Sequence, residues 1–251
     1  MGSNERFTSL RSLLGVLAKA MNLINPAVEG HHEMAAYLSY MIAKNMGFDE
    51  SMLRSVIIAA LMHDIGSVTI EEQQSVEELE AEAYTIAAVG ADMLRELDEL
   101  ESIADIVEFC QCGYGIIQGA LDLGQIHNKQ TAALASVIHL ADRATVMLDP
   151  KERVLSQVPA MKQLVSEYAG IEFDPKAVEA LMDISFNEYV WFELFYNPWT
   201  VLDAAGLDIP IPLYRATGLT RVMSKIVDYR SAFTAMHSAG VAASASAIAV
   251  C

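Results

Sequence analysis

The sequence predicts an all-α protein, and three observations support that prediction. Apolar residues recur at intervals of three and four along the first 24 positions, which is the spacing of one helical face. The same spacing returns in four later segments, and the strict alternation typical of a strand is nearly absent. Helix-starting residues precede several segments. The first apolar series is Phe7, Leu10, Leu14, Leu17, Met21 and Ile24, and the later segments cover roughly 31–46, 50–65, 75–97 and 130–147.

Several helix starts are marked by capping residues. Asp49 stands directly before the third segment, where its carboxylate can accept a hydrogen bond from a first-turn amide. Asp149-Pro150 and Asp174-Pro175 each pair such a carboxylate with a proline, which suits the first helical turn. We therefore expect helices to begin directly after Asp49, Asp149 and Asp174.

The third segment has the character of a central helix. Residues 51–62 are apolar almost all round, which indicates a helix surrounded by others. His63 and Asp64 follow at its C-terminal end and would emerge at a buried position.

Length and composition limit the class of protein. The 251 residues are enough for one large or two small domains, and 53% hydrophobic content supports a sizeable core. No apolar run reaches the length of a membrane span and the N-terminus lacks a signal-peptide pattern, so cytoplasmic residence is expected. Cys110, Cys112 and Cys251 form no disulfide framework and are expected to be reduced thiols.

The charge balance restricts the ligands. A formal net charge of −17 argues against binding to a nucleic-acid polymer, because phosphate backbones are held by clusters of Lys and Arg. A small phosphorylated ligand remains compatible with this charge, since a local metal ion or a few arginines suffice to bind it.

The sequence predicts a boundary between 197 and 217. The helical periodicity lapses there, and Pro210 and Pro212 disfavour a helix. Beyond it, His237 begins a segment that repeats the pattern after His31. The positions at +4, +5, +11 and +12 are Ala35, Ala36, Ile42 and Ala43 in the first copy and Val241, Ala242, Ile248 and Ala249 in the second.

Candidate metal ligands occur in three ordered motifs. They are His31 with Ala35-Ala36, His63-Asp64-Ile65-Gly66, and Ile138-His139-Leu140-Ala141-Asp142-Arg143. With these motifs the chain resembles the HD superfamily of metal-dependent phosphohydrolases. It is most similar to bacterial tandem signalling proteins in which a degenerate HD domain precedes an HD-GYP domain that degrades cyclic di-GMP or related cyclic dinucleotides.

The resemblance implies an HD-domain-like helical bundle around a central helix that ends in His63-Asp64. It also implies a domain division into an HD-type domain over 1–200, a connecting segment over 201–225, and the first helix of a second, HD-GYP-like domain over 226–251. Tyr229-Arg230-Ser231-Ala232-Phe233-Thr234, just before His237, is similar to the opening of such a domain.

The resemblance also assigns roles to four residues. His31, His63, Asp64 and Asp142 would be the metal ligands, with Asp64 as the catalytic residue that bridges two ions in active members. Nitrogen and oxygen donors of this kind suit Fe, Mn, Zn or Ni without choosing among them. The alternative is a buried His/Asp hydrogen-bonded network kept for packing, since buried polar groups need partners with or without a metal.

The departures from active HD-GYP enzymes concern the second ion and the phosphate. Ser67 follows Gly66 where those enzymes have a lysine. Cys110 and Gln111 stand where they have two histidines, and Tyr114 is at most a vestige of the Gly-Tyr-Pro segment. These replacements argue against a bimetallic centre and leave a single ion possible.

Other candidate residues carry competing interpretations. His32 is predicted to lie on another helix face than His31, either exposed or as a neighbour of a ligand. His139 is predicted in the core or at its rim. Arg143 is predicted to form a salt bridge rather than to bind an anion. An aromatic series is predicted as core rather than as a base-stacking platform, namely Tyr189, Trp191, Phe192, Phe195, Tyr196 and Trp199.

Three functions remain open from the sequence. The first is a metal-dependent phosphohydrolase of a cyclic dinucleotide or nucleotide. The second is a regulatory module that binds a ligand or forms a homodimer and governs a catalytic half. The third is an HD hydrolase of linear nucleotides. The replacements at Ser67, Cys110 and Gln111 favour the second.

Overall fold

The computed structural model of the chain describes residues 7–24, 30–69, 76–98 and 100–213, together with the isolated positions 222, 240, 241, 244, 245 and 248. These residues are almost entirely helical. The helices are α1 (Leu10–Ile24), α2 (His31–Asn45), α3 (Glu50–Met62), α4 (Val76–Arg95), α5 (Glu101–Phe109), α6 (Tyr114–Asp122), α7 (Lys129–Val146), α8 (Val154–Glu167), α9 (Pro175–Ile184), α10 (Glu188–Tyr196) and α11 (Thr200–Ala204). The all-α prediction is confirmed.

Helix α3 is the centre of the bundle, as its sequence predicts. It packs against α1, α2, α5 and α7, and every residue from Val56 to Met62 is buried. The helix begins where expected, because the Asp49 carboxylate accepts a 2.9 Å hydrogen bond from the Met52 amide. His63 follows directly as its C-terminal cap, so the apolar character of α3 places this imidazole inside the protein.

A 3-10 helical turn over Ile65–Thr69 continues from α3 and packs on α4. Gly66 and Gly90 allow this contact. A Cβ atom added to Gly66 would lie 2.0 Å from the Ile86 carbonyl oxygen and 2.7 Å from the Gly90 amide nitrogen. Glycine at 66 therefore lets the backbone after Asp64 lie directly against α4.

A small antiparallel sheet pairs residues near position 8 with residues near position 211. Strand β1 (Phe7–Ser9) pairs with β2 (Pro210–Pro212), and the Leu10 amide donates to the Ile209 carbonyl at 3.0 Å. The prediction that Phe7 belongs to the first helix is wrong, since Phe7 is exposed and in β1. Local periodicity cannot reveal a partner strand some 200 positions away.

Residues 201–213 pack on the same core as the helices before them. Val201, Leu202, Leu207 and Ile211 are buried there. Most of 226–251, including His237, lies outside the described residues, so the predicted connecting segment and second domain stay predictions.

Two other sequence predictions need correction. Asp149-Pro150 forms a turn, in which the Asp149 carboxylate accepts from the Lys151 amide at 2.8 Å, and α8 begins only at Val154. Asp174-Pro175 does begin α9 as predicted. In the aromatic series, Trp191 is buried and Phe195 and Trp199 pack on the core, but α10 is an outer helix whose second face is exposed. The core prediction is wrong for Tyr189, Phe192 and Tyr196.

Among the described residues, no helix combines the length and the apolar character that crossing a membrane requires.

Candidate metal centre

Three of the four predicted ligands converge from three helices. His31 is the first residue of α2, His63 follows α3, and Asp142 lies in α7. One donor atom from each lies within 4.8 Å of the others, and all three residues are buried. His31 Nε2 is 2.9 Å and His63 Nε2 is 3.4 Å from the same oxygen, Asp142 Oδ1.

Asp64, the fourth predicted ligand and the predicted catalytic residue, lies beside this trio. Its Oδ2 is 3.2 Å from His63 Nε2, and its side chain is 22% exposed. Its other oxygen, Oδ1, accepts a 3.0 Å hydrogen bond from Gln111 Nε2. Asp64 therefore lies between the buried trio and the solvent.

The two ligand imidazoles are oriented by hydrogen bonds at their other nitrogen. His63 Nδ1 donates to the Ala60 carbonyl oxygen at 2.7 Å. Thr145 Oγ1 donates to the Asp142 carbonyl at 2.8 Å and lies 3.5 Å from His31 Nδ1. Such contacts turn Nε2 of each ring toward the carboxylates, as is usual for metal-binding histidines.

The charges of the trio are strongly interdependent. Burial alone would raise the pKa of Asp142, but hydrogen bonds with His31 and His63 and the charges on His63 and Arg143 outweigh it and hold that pKa well below its ordinary value. Burial alone would lower the pKa of His63, but the neighbouring carboxylates of Asp64 and Asp142 outweigh burial and hold this pKa well above its ordinary value.

The residues present fit a divalent metal. His63 Nε2 is buried and lies at ion-pair distance from two carboxylates, those of Asp64 and Asp142. A cation that displaced the proton of His63 would be held by this nitrogen and by both carboxylates together. Two imidazoles with carboxylate oxygen are a donor set suited to a transition metal rather than to Ca²⁺ or Mg²⁺.

His32 lies at the same centre, so the predicted alternative in which it neighbours a ligand is confirmed and the alternative in which it is exposed is wrong. Its side chain is buried, and its ring centroid is 5.5 Å from that of His63. Burial, with a smaller contribution from charge on His63, lowers the pKa of His32 to about 3, so its imidazole is neutral at pH 7. Helix α1 covers this side of α2 through Asn22, a tertiary contact that the sequence pattern does not reveal.

Gln111 and Arg143 form a second layer around the carboxylates. Arg143 Nη2 donates to Gln111 Oε1 at 3.1 Å and also lies 2.8 Å from Asp142 Oδ2. The predicted salt bridge of Arg143 is therefore confirmed. Gln111 links that guanidinium to Asp64, so one carboxamide joins both acidic ligands.

The Gly113-Tyr114-Gly115 segment has a structural partner that sequence reasoning missed. The amides of Tyr114 and Gly115 donate to the carbonyls of Glu172 and Ile171. Glu172 Oε1 in turn lies 2.8 Å from His139 Nε2. His139 is buried, as predicted, and it connects this loop to α7 one turn before Asp142. No periodic or motif signal marks Glu172.

The Glu172 contact should make stability depend on pH. The hydrogen bond from His139 lowers the pKa of Glu172 below its ordinary value of 4.5. A carboxyl with a depressed folded-state pKa stabilises the fold above its unfolded pKa and loses that contribution as pH falls through the folded value. Because Glu172 is 44% exposed, we expect Glu172→Gln to lower the free energy of unfolding by only about 1 kcal/mol at pH 7.

Urea denaturation at pH 7 and near pH 3 measures this effect. The difference between wild type and Glu172→Gln should be present at pH 7 and smaller at the acidic pH, where protonation of Glu172 removes its contribution. The exposed Glu152→Gln serves as the matched control and should show no such difference. An equal loss at both pH values would contradict the role given to the carboxylate.

Comparison with known proteins relates this centre to a described family. The model of the HD domain matches residues 28–147, a range that includes His31, His63, Asp64 and Asp142. This range, just under half of the chain, matches the HD domain family. HD domains bind divalent metals, and His31, His63 and Asp142 carry donor atoms suited to such an ion.

The relatives of the chain are longer proteins. It is 22% identical over 250 residues to the 3'3'-cGAMP-specific phosphodiesterase 1 of Vibrio cholerae serotype O1, with 93% of this chain and 56% of that protein covered. It also resembles the crystal structure of a cyclic GMP-AMP specific phosphodiesterase of V. cholerae (V-cGAP3), with a TM-score of 0.73 and 19% identity, covering 93% of this chain and 63% of that one. The chain thus spans little more than half the length of the curated relative.

Proposed function

We propose that this HD domain binds one divalent transition metal, presents it to a cyclic dinucleotide, and serves as the regulatory half of a longer phosphodiesterase. The observation that carries this proposal is the bond from Gln111 Nε2 to Asp64 Oδ1. In active HD-GYP enzymes, which this chain resembles, histidines at this place and a bridging aspartate hold a second ion. Here the carboxamide of Gln111 donates to Asp64 Oδ1, the oxygen that a second ion would need.

The other two replaced positions, Cys110 and Ser67, do not restore a second metal site. Burial, with the charges of Asp64 and Asp142, raises the pKa of the Cys110 thiol well above its ordinary value. Its Sγ donates to the Val107 carbonyl, so it remains a thiol rather than the thiolate that binds metals. Ser67 offers no cation where the active enzymes have a lysine. Both replacements support retention of a single ion.

Different side chains would hold the metal ion and the phosphate groups of the ligand. His31, His63 and Asp142 would hold the ion, and Asp64 would face it from the exposed side. The ion supplies a positive charge that can neutralise phosphoryl oxygens. Arg143 is 43% exposed at the rim, where its guanidinium can meet a second phosphate oxygen while it stays paired with Asp142.

The proposal is tested on the purified chain by elemental analysis, calorimetric binding and hydrolysis assays. We expect about one transition metal per chain, binding of 3'3'-cGAMP or cyclic di-GMP, and no turnover of either. Asp64→Asn should weaken that binding, and Asp122→Asn, at the exposed end of α6, should not. Absence of bound metal, or of cyclic dinucleotide binding, contradicts the proposal.

A second candidate function is a single-metal hydrolase of linear nucleotides. The complete set of His31, His63 and Asp142, with Asp64 open to solvent, favours it. Turnover of a substrate such as guanosine tetraphosphate that Asp64→Asn abolishes would establish this activity and replace the regulatory proposal.

A further inference from the structure

A relay of hydrogen bonds from α1 orients the second imidazole of α2. Asn22 Nδ2 donates to Glu33 Oε1 at 3.2 Å, because a carboxylate oxygen can only accept. The carboxamide oxygen of Asn22 therefore faces His32, whose Nδ1 lies 3.1 Å from it. An amide oxygen also only accepts, so His32 Nδ1 carries the proton and donates it.

This tautomer leaves a lone pair on His32 Nε2, and that lone pair is directed into the metal centre. Nε2 is 3.8 Å from Asp64 Oδ2. It is buried and has no hydrogen-bond partner among the described residues. The ring lies 5.7 Å from that of His31 and 5.5 Å from that of His63, measured between centroids.

A lone pair that faces a carboxylate oxygen inside a protein is unfavourable. A buried polar atom left without a partner costs about 1–3 kcal/mol, and here the nearest group is itself electron-rich. A hydrogen-bonding role would require a proton on Nε2, which the relay places on Nδ1 instead. A cation between His32 and Asp64 would satisfy both groups.

We propose that His32 Nε2 is a further metal ligand and that Asn22 is the residue that positions it. This inference rests on the proposed function, because it assumes that the HD domain holds a metal. His32 is outside the trio of mutually close donors and would reach the ion from the side of Asp64. The donor set then contains three imidazoles and two carboxylates, which favours a borderline transition metal over Mg²⁺.

X-ray absorption spectroscopy of the unmodified, Co²⁺-loaded chain tests the ligand count without any mutation. Imidazole rings scatter in a characteristic way, so their number per metal can be fitted. Three imidazoles per Co²⁺ support the inference, and two overturn it. If the chain binds no Co²⁺ and carries no other metal, the proposed function itself fails, which is a distinguishable result.

Variants separate the ligand from its orienting residue. His32→Phe keeps the ring and should weaken Co²⁺ binding by at least about 100-fold in a chelator competition. Asn22→Leu keeps the imidazole and removes its acceptor, so about 10-fold weaker binding is expected. The double variant Asn22→Asp with Glu33→Gln exchanges the two groups. The carboxamide now at position 33 can donate to the carboxylate at position 22, and that carboxylate can accept from His32 Nδ1. This variant should recover wild-type affinity.

Two controls keep these measurements interpretable. His127→Gln removes an exposed histidine from a loop and should bind Co²⁺ like wild type. Far-UV circular dichroism and urea denaturation show whether each variant is folded. Folded His32→Phe protein with unchanged affinity overturns the inference, as does an Asn22→Leu variant that retains wild-type affinity.

Discussion

Replacement of Gly66 by alanine is expected to lower the free energy of unfolding by about 3 kcal/mol or more. The added Cβ would lie 2.0 Å from the carbonyl oxygen of Ile86, and backbone atoms of a helix cannot rotate away as a side chain can. The turn after Asp64 would have to move off α4. Because His63 and Asp64 directly precede this turn, metal affinity should fall together with stability.

The same substitution at Gly119 is the matched control. Gly119 lies in α6 and a Cβ there would meet nothing within 4 Å, so alanine should stabilise the helix by about 0.5–1 kcal/mol. Urea denaturation of the three proteins measures both effects. A Gly66→Ala protein as stable as wild type would show that the turn does not lie against α4.

The helices were largely predictable because their signals are local. Asp49 and the apolar run after it determine where α3 begins and why it is buried, and both are visible within a dozen positions. The pairing of Phe7 with Pro212 joins distant parts of the chain and leaves no periodic trace. Asp149-Pro150 has the composition of a helix start but forms a turn, since the same two residues suit both structures.

The candidate site was predictable at the level of motifs but not of contacts. The spacing of His31, His63 and Asp142, with the resemblance to a known family, was enough to select them. The partners that orient them depend on how helices pack together. Gln111 reaches Asp64 from 47 positions away, and Glu172 reaches His139 from 33 positions away, so no sequence pattern connects either pair.

The burial of His32 was missed for a related reason. Neighbouring residues on an isolated helix point in directions about 100° apart. If one side of the helix faces the core, a buried His31 therefore predicts that His32 points away from it. The first turn of α2 is enclosed on more than one side, by α1 through Asn22 and by α7 through Asp142. A buried helix start can therefore direct two adjacent imidazoles into one centre.

The largest effect on metal binding is expected from Asp142→Asn. The carboxylate of Asp142 is 2.9 Å from His31 Nε2 and 2.8 Å from Arg143 Nη2, and it is almost fully buried. Asparagine preserves its shape and removes its charge, so any stability change isolates the electrostatic contribution. Loss of a charged ligand from a buried metal site should weaken the binding of Co²⁺ or Zn²⁺ by roughly 1,000-fold, which corresponds to about 4 kcal/mol.

Chelator competition measures this loss, and Asp122→Asn on the exposed end of α6 is its charge-matched control. Both variants remove one negative charge from a chain whose formal net charge is −17, so a general electrostatic attraction of cations would weaken both alike. Binding at the centre requires that Asp142→Asn alone loses the metal. Equal affinities in the two variants would mean that the His-Asp cluster is a packing network, and that any bound metal lies elsewhere.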